Sequence, residues 1–243
     1  MPAAAAAMIM VSGGCAQHRP QTGTAELRAV ATGHDAESRR NAEEARLRGL
    51  LERLARVEGL HHAYTGLKDD CAGPSEGNFK DPPSVDLVSC SMSVNAVYGV
   101  EGDVTDVLKR IHAAGVTPWQ PNVNGPGSAS GGTLDYALEY HRLRGVFPDG
   151  TLMPAPSLVS EDRGLEITWD RPPLPDHPAA SGQVEGNDVP ACPPAGPLYS
   201  RCRIDPPQPD PVPAVRARYG TVLNVAIGSA GRTPYFTVPR RAK

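Results

Sequence analysis

The stretch "VDLVSCSMSVNAVYGV" at residues 85–100 decides the fold, because it is the longest strand signal in the chain. From Val88 to Val94 every second residue is apolar or cysteine, while Val85, Leu87 and Ser89 fall on the other side. Successive side chains of a strand point to opposite faces of a sheet. The pattern therefore predicts a long β-strand with one well covered face and a second, partly covered face.

Two helices are predicted on either side of this strand. Residues 35–58 carry an apolar stripe at helical spacing, bounded by Asp35 and Gly59. An amphipathic membrane or partner helix is one interpretation, but the narrow stripe and the mixed charges beside it favour packing on a sheet. Residues 102–115 form the second predicted helix, with Asp103 as its N-cap and Gly115 at its end.

The remaining segments predict further strands at 60–67, 164–170, 216–229 and 233–239. Residues 134–144, "LDYALEYHRLR", fit both a strand and a helix. We favour the strand because apolar and polar residues alternate strictly over eight positions, and we take 164–170 as its hairpin partner.

Residues 172–213 contain half of the 26 prolines. Proline lacks the backbone N–H that a central strand or a helix interior requires. We therefore expect an extended insertion in a single domain over 35–243. The predicted fold class is α+β: a two-layer sandwich of a mainly antiparallel sheet with two helices packed on one face.

The N-terminus resembles an export signal. The apolar run at residues 3–11 is too short to span a bilayer, which takes about 20 residues. It has the length of a signal-peptide core and is followed by "SGGC", which resembles a lipoprotein cleavage box. We expect a signal peptide over 1–15, acylation (palmitate or similar) of Cys15, and a flexible tether over 16–34. Export without lipid and a disordered N-terminus with a free cysteine are the alternatives.

Cysteine usage supports export. If Cys15 carries lipid, four cysteines remain, in two couples that are close in sequence. In an oxidising compartment the economical pairing is Cys71–Cys90 and Cys192–Cys202. A metal site is the rival interpretation, but the spacings do not match those of zinc ligands.

The order of helix, strand, cysteine, loop, cysteine-bearing strand and second helix resembles small extracytoplasmic domains of actinobacterial lipoproteins of unknown function. The resemblance spans residues 35–170. Its matching positions are Gly59, Cys71, Cys90, Asp103, Leu108, Ile111, Gly115 and Trp119. It implies a location in the cell envelope and an α+β sandwich, and it transfers no catalytic residue.

Several patterns that suggest catalysis or ligation are weak. The loop 125–132, "GPGSASGG", lacks the spacing of a phosphate cradle or of a nucleophile elbow. His61 and His62 with Asp69 and Asp70 could form a metal or acid–base cluster, but adjacent strand residues point apart.

Two other catalytic arrangements have little support in the sequence. Asp162 with Glu166 cannot be distinguished from ordinary surface acids. A triad of His141, Asp135 and a loop serine at 128 or 130 would be too extended along a strand.

The last candidate site is aromatic. Trp119, Tyr136, Tyr140 and Trp169 could line one side of the sheet as a ligand platform, or could belong to the core.

The chain carries a net charge of −3, which gives no compositional support for nucleic-acid binding. We expect no metal, cofactor or catalytic residue. The sequence favours a lipid-anchored protein on the outer face of the cytoplasmic membrane, or a secreted one, that binds an envelope protein or a small ligand. The alternatives are an extracytoplasmic hydrolase with a site assembled from distant residues, and a structural spacer.

Overall fold

The structure is a computed structural model that describes residues 23–77, 79, 82–121, 131–171, 182–184, 192, 198–228 and 234–240. Three expectations lie outside these residues: the signal peptide with Cys15, most of the loop 125–132, and the loop serines at 128 and 130.

The described residues form five helices and seven strands. The helices are α1 (Thr24–Ala31), α2 (His34–Leu54), α3 (Val104–Ala113), α4 (Leu134–Arg142) and α5 (Val212–Tyr219). The strands are β1 (Leu60–Ala72), β2 (Asp86–Val100), β3 (Leu158–Val159), β4 (Leu165–Trp169), β5 (Tyr199–Asp205), β6 (Thr221–Ile227) and β7 (Phe236–Pro239). These elements confirm the predicted strands near 85–100 and 164–170 and the predicted helices near 35–58 and 102–115.

All seven strands belong to one open antiparallel sheet organised around β2. The order is β3-β4-β6-β2-β1-β5, and β7 pairs with the first part of β2 while β6 pairs with its last part. The α+β class with an antiparallel sheet is therefore confirmed. Strands on both sides of the proline-rich segment join the same sheet.

One face of the sheet carries the main core. The apolar stripe of α2 (Leu47, Leu50 and Leu54) packs there together with α3, against alternate residues of β2 from Met92 to Val100. The other face is covered by α5, whose Val212 and Val215 contact Val97 and Val222. The narrower prediction, two helices on one face, is not confirmed in that form, because the described residues contain five helices and α5 packs on the opposite face.

The prediction of a strand over 134–144 is wrong, because these residues form helix α4. The Thr133 hydroxyl accepts a hydrogen bond from the Tyr136 N–H and caps the helix. Tyr136, Ala137 and Tyr140 are buried, at spacings that fall on one helical face. The strand predicted at 164–170 as its hairpin partner is β4, which pairs instead with β3 and β6.

Two further corrections concern segments expected to be irregular. The flexible tether predicted for 16–34 is wrong from Thr24 onward, because α1 buries Leu27 and Ala31 against the sheet. The proline-rich segment 172–213 also contributes regular structure. Its proline-free stretch at 198–205 contains edge strand β5, and α5 begins within its last residues, with a proline in the first turn, where the missing N–H costs nothing.

Both predicted disulfides are present, Cys71–Cys90 and Cys192–Cys202. They indicate an oxidising, extracytoplasmic environment. None of the helices in the described ranges has the length and apolarity needed to cross a membrane.

Candidate functional site

A cleft of about 270 Å³ lies between α2 and one face of the sheet. Helix α2 forms one wall, and strands β1, β2 and β5 form the floor and the other wall. The side chains that line it are Glu44, Leu47, Arg48, Leu51, Glu52, Ala55, His62, Thr65, Leu67, Val94, Tyr98, Arg203 and Asp205.

Helical spacing and strand register bring these residues together. The α2 members recur every three or four residues, so they share one face of the helix. On the sheet, Leu67 pairs with both Val94 and Arg203, and Thr65 pairs with Asp205. A register shift in β1 between His62 and Tyr64 lets His62 and Thr65 both line the cleft despite their odd spacing.

The floor of the cleft is apolar and ends at one phenol. Leu47, Leu67 and Val94 are buried, and Tyr98 is 1% exposed. Burial raises the pKa of Tyr98 to about 12, so the phenol is neutral and keeps its proton to donate. Among the described residues no group forms a hydrogen bond with its hydroxyl. Because Tyr98 lines the cleft, a ligand acceptor there can bind its hydroxyl in place of water.

The exposed end of the cleft carries a histidine. His62 Nε2 lies 2.8 Å from Thr65 Oγ1, and its ring meets the edge of Tyr98 with centroids 5.5 Å apart. Loss of solvent around the ring lowers the pKa of His62, and the charge of Asp205 opposes this only in part. The imidazole is therefore neutral at pH 7.

The other end of the cleft is ionic. The Glu44 carboxylate lies 2.6 Å from Arg201, 3.1 Å from Arg48 and 3.7 Å from Arg203. Burial alone would raise the pKa of Glu44, but the hydrogen bond from Arg201 and the charges of the three arginines outweigh it and hold the pKa below its ordinary value. Glu44 thus holds three guanidinium groups at this end.

A buried ion pair supports this end from behind. Asp69, which is fully buried, lies 2.9 Å from Arg40 Nε and accepts a 2.7 Å hydrogen bond from the Tyr235 hydroxyl. The guanidinium of Arg40 also stacks over the ring of Tyr199, 4.0 Å from its centroid. Because α2, β1 and β5 each supply a member, this network fixes their relative positions and, with them, both walls of the cleft.

The cleft offers binding groups more than catalytic ones. Among the described residues that line the cleft, His62 and Thr65 are the only base–hydroxyl pair within hydrogen-bonding distance, and no described carboxylate lies close enough to orient the imidazole. A nucleophile activated by histidine normally needs such a third group. An apolar floor with a few polar groups at its ends is typical of small-molecule sites.

The weak candidate cluster of His61, His62, Asp69 and Asp70 does not form. His61 points away from the cleft, pairs with Glu101 at 2.6 Å and stacks on Tyr219. Asp69 is held by Arg40, and Asp70 accepts a hydrogen bond from Ser200 and pairs with Lys68. No group of metal-ligating side chains occurs in the part of the chain that the structure describes.

The other predicted site residues are also dispersed. Trp169, Tyr136 and Tyr140 are buried and Trp119 is half-buried, in two separate clusters, so they do not form an exposed platform. His141 accepts a hydrogen bond from the Trp169 indole rather than joining a triad with Asp135.

The two acids considered for glycoside chemistry have other surroundings. Asp162 caps the β3–β4 turn through Ser160 and the Gly164 amide. Glu166 lies on β4 opposite Val159.

No protein-family model, characterised protein or solved structure matches the chain. The resemblance to actinobacterial lipoprotein domains therefore stays a prediction. Of the residues lining the cleft, only His62 was a site candidate from sequence, and it was assigned other partners. The one signal available in advance was the spacing of Glu44, Arg48 and Glu52 beside the apolar stripe of α2.

Proposed function

We propose that this protein is an exported, lipid-anchored envelope protein that binds a small amphipathic ligand in the cleft and catalyses no reaction. The observation that carries the proposal is the apolar floor of the cleft, which ends at the neutral phenol of Tyr98. The size of the cleft, about 270 Å³, suits a compact ligand with an apolar body and one hydrogen-bond acceptor.

Two features support export and anchoring. The apolar run and "SGGC" have the pattern of a lipoprotein signal, and both cysteine couples are oxidised. Several acyl chains hold a protein firmly on a bilayer, whereas one chain binds only marginally. Secretion without lipid is the alternative to anchoring.

Anchoring is tested by the intact mass of the protein purified from its native host. We expect a chain that begins at Cys15 and carries acyl mass, and that Cys15→Ala moves the protein from the membrane fraction to the soluble fraction. A full-length chain with a free Cys15 thiol would contradict export and anchoring together.

Ligand binding is tested with two matched tyrosine variants. Tyr98 and Tyr64 are both buried on the sheet, but Tyr64 packs on the α5 face, away from the cleft. A fragment screen by NMR, begun with small phenols and cyclic amides, should give ligands that shift the amide signals of Leu67, Val94 and Tyr98.

We expect Tyr98→Phe to weaken such ligands about tenfold, the value of one hydrogen bond. Tyr64→Phe should leave affinity unchanged. Equal affinity in the wild type and both variants would refute the role of Tyr98. Turnover of ester or amide fragments, abolished by Thr65→Val, would favour the hydrolase instead.

A further inference from the structure

A second concave surface lies where α2 and α3 both end, and it shares no lining residue with the cleft. It is an open depression of about 510 Å³ lined by Arg53, Arg56 and Arg110, together with Glu58, Val57 and two alanines. Arg53 belongs to the last turn of α2 and Arg110 to the last turn of α3. We infer that this arginine depression binds a phosphate-type oxyanion.

Two of the three guanidinium groups are held in place. Arg53 Nη2 donates a 3.0 Å hydrogen bond to the Val116 carbonyl. Arg110 packs against Gly59, where a Cβ atom would come within 3.1 Å of Arg110 Nη2. Gly59 has a φ of +86°, so a side chain is disfavoured there on both counts. The site is thus largely preformed, which lowers the entropic cost of binding.

The donors of this surface are not used up by the protein. None of the three arginines forms an ion pair with any residue that the structure describes. The Arg110 Nε–H is buried without a hydrogen-bond acceptor in the described residues. Planar guanidinium groups bind phosphate oxygens through paired hydrogen bonds, which gives both affinity and geometry.

The local charge balance leaves a positive excess. Helix C-termini carry about −0.5 charge each and attract cations, which explains part of the arginine content at the ends of α2 and α3. These two ends and Glu58 together contribute about −2 against three positive charges. An excess of about +1 remains, which attracts an oxyanion such as a phosphate group.

The position of the depression decides between a free phosphate group and a lipid headgroup. Arg53, Arg56 and Arg110 lie near the Val100 end of β2, whereas α1 packs near Cys90. Ten residues of strand separate these ends by about 33 Å. If the proposed N-terminal anchor holds, the depression lies at the opposite end of β2 from the helix that follows the anchor, and this placement favours a soluble or wall-borne phosphate group over a lipid headgroup.

The test is a titration of the purified full-length protein with inorganic phosphate, followed by NMR of backbone amides and arginine side chains. We expect signals of Arg110 and Ala114 to shift with saturation. Arg110→Gln should weaken binding about tenfold, the value of a charge-assisted hydrogen bond. Glu58→Gln should tighten it several-fold, because it removes the one opposing carboxylate.

Arg142→Gln is the matched control, since Arg142 is an exposed arginine that pairs with Glu139 on α4. It should leave phosphate affinity unchanged. Equal weakening by Arg110→Gln and Arg142→Gln, or no tightening by Glu58→Gln, would overturn the site. The Glu58 variant keeps the test valid even if Arg110→Gln fails to fold.

Vesicles of phosphatidylglycerol separate the two sources of phosphate. Binding of free phosphate without vesicle binding through Arg110 supports the inference. Vesicle binding that Arg110→Gln abolishes, with no response to free phosphate, would overturn it. The phosphate titration depends on neither Tyr98 nor Cys15, so the arginine depression can fail while the proposed function stands, and the reverse. Only the choice of a soluble rather than a membrane phosphate group rests on the proposed anchor.

Discussion

The two disulfides belong to different parts of the molecule. Cys71 and Cys90 are direct partners in the β1–β2 ladder, and both are buried against α1. Cys192 is exposed, and its partner Cys202 lies on edge strand β5 between two arginines of the ionic end of the cleft.

The first bond therefore reinforces a core that strand pairing and packing already hold. The second fixes the edge strand that supplies one wall of the candidate site. The two disulfides thus distinguish residues that determine global stability from residues that determine the shape of the cleft. Variants of both kinds test this distinction.

The largest effect is expected at Asp69, which lies on β1 between the two regions. Asp69→Asn can still accept the hydrogen bond from Tyr235, but it leaves the charge of Arg40 buried without its counter-charge. Losing one partner of a buried pair costs about 3–5 kcal/mol. We expect the free energy of unfolding in urea to fall by about 4 kcal/mol.

Asp70→Asn is the matched control for this change. Asp70 is the next residue of β1 but lies on the opposite face, where it contacts Lys68 and Ser200. Loss of the Asp70 charge should lower the free energy of unfolding by less than about 1 kcal/mol, as for other partly exposed ion pairs. Similar losses for both variants would show that the buried network does not stabilise the fold.

The Cys71→Ala/Cys90→Ala double variant should lower the free energy of unfolding by about 3 kcal/mol. The bond closes a loop with a sequence separation of 19, and the loss of loop closure sets this magnitude. Thermal and urea unfolding measure the effect. Because β1 stays paired with β2 from Ser89 to Val100, the folded state should keep its hydrogen-exchange protection at Val94 and Val97.

The Cys192→Ala/Cys202→Ala double variant should cost less, about 2 kcal/mol, because its loop is shorter, with a sequence separation of 10, and Cys192 is exposed. The effect should be local. We expect faster amide exchange along β5 and weaker binding of cleft ligands, with β2 unaffected. Loss of protection in β2 as large as in β5 would remove the distinction between the two disulfides.

Sequence reasoning succeeded where a short-range pattern carries the structural information. The stripe of α2, the alternation in β2 and the Asp103 cap of α3 are all local signals. Both disulfides followed from their closeness in sequence. It failed at 134–144 because Leu134, Tyr136, Leu138 and Tyr140 alternate as in a strand, whereas the deciding feature is the Thr133 cap and contacts with Met153.

The cleft could not be predicted because its parts come from four elements. The segment after residue 67 contains Lys68, Asp69 and Asp70 and has the composition of a loop, yet it continues strand β1. Asp69 is tolerated there because Arg40 and Tyr235, both distant in sequence, supply its partners. Such long-range compensation leaves no local signal.

The smallest effect depends on pH and concerns the half-buried His141, whose ring stacks beside that of Trp169. Its Nε2 accepts a 2.9 Å hydrogen bond from Trp169 Nε1, so the folded state requires the neutral ring. Burial lowers the pKa of His141 below its ordinary value of 6.5, and the charge of Asp103 opposes this only in part. The unfolded chain therefore binds the proton more tightly, and stability falls as the pH drops below about 6.5.

We expect this contribution to the free energy of unfolding to be about 1 kcal/mol between pH 7 and pH 5, the size of the hydrogen bond lost on protonation. His141→Gln keeps an acceptor for the indole and should flatten the pH dependence measured by urea unfolding. His62→Gln should flatten it less, because the His62 ring lies at the exposed end of the cleft. A larger change for His62→Gln would mean that a cleft residue, and not the surroundings of Trp169, sets the acid sensitivity of the fold. The division between residues that stabilise the fold and residues that shape the cleft would then not hold for titrating groups.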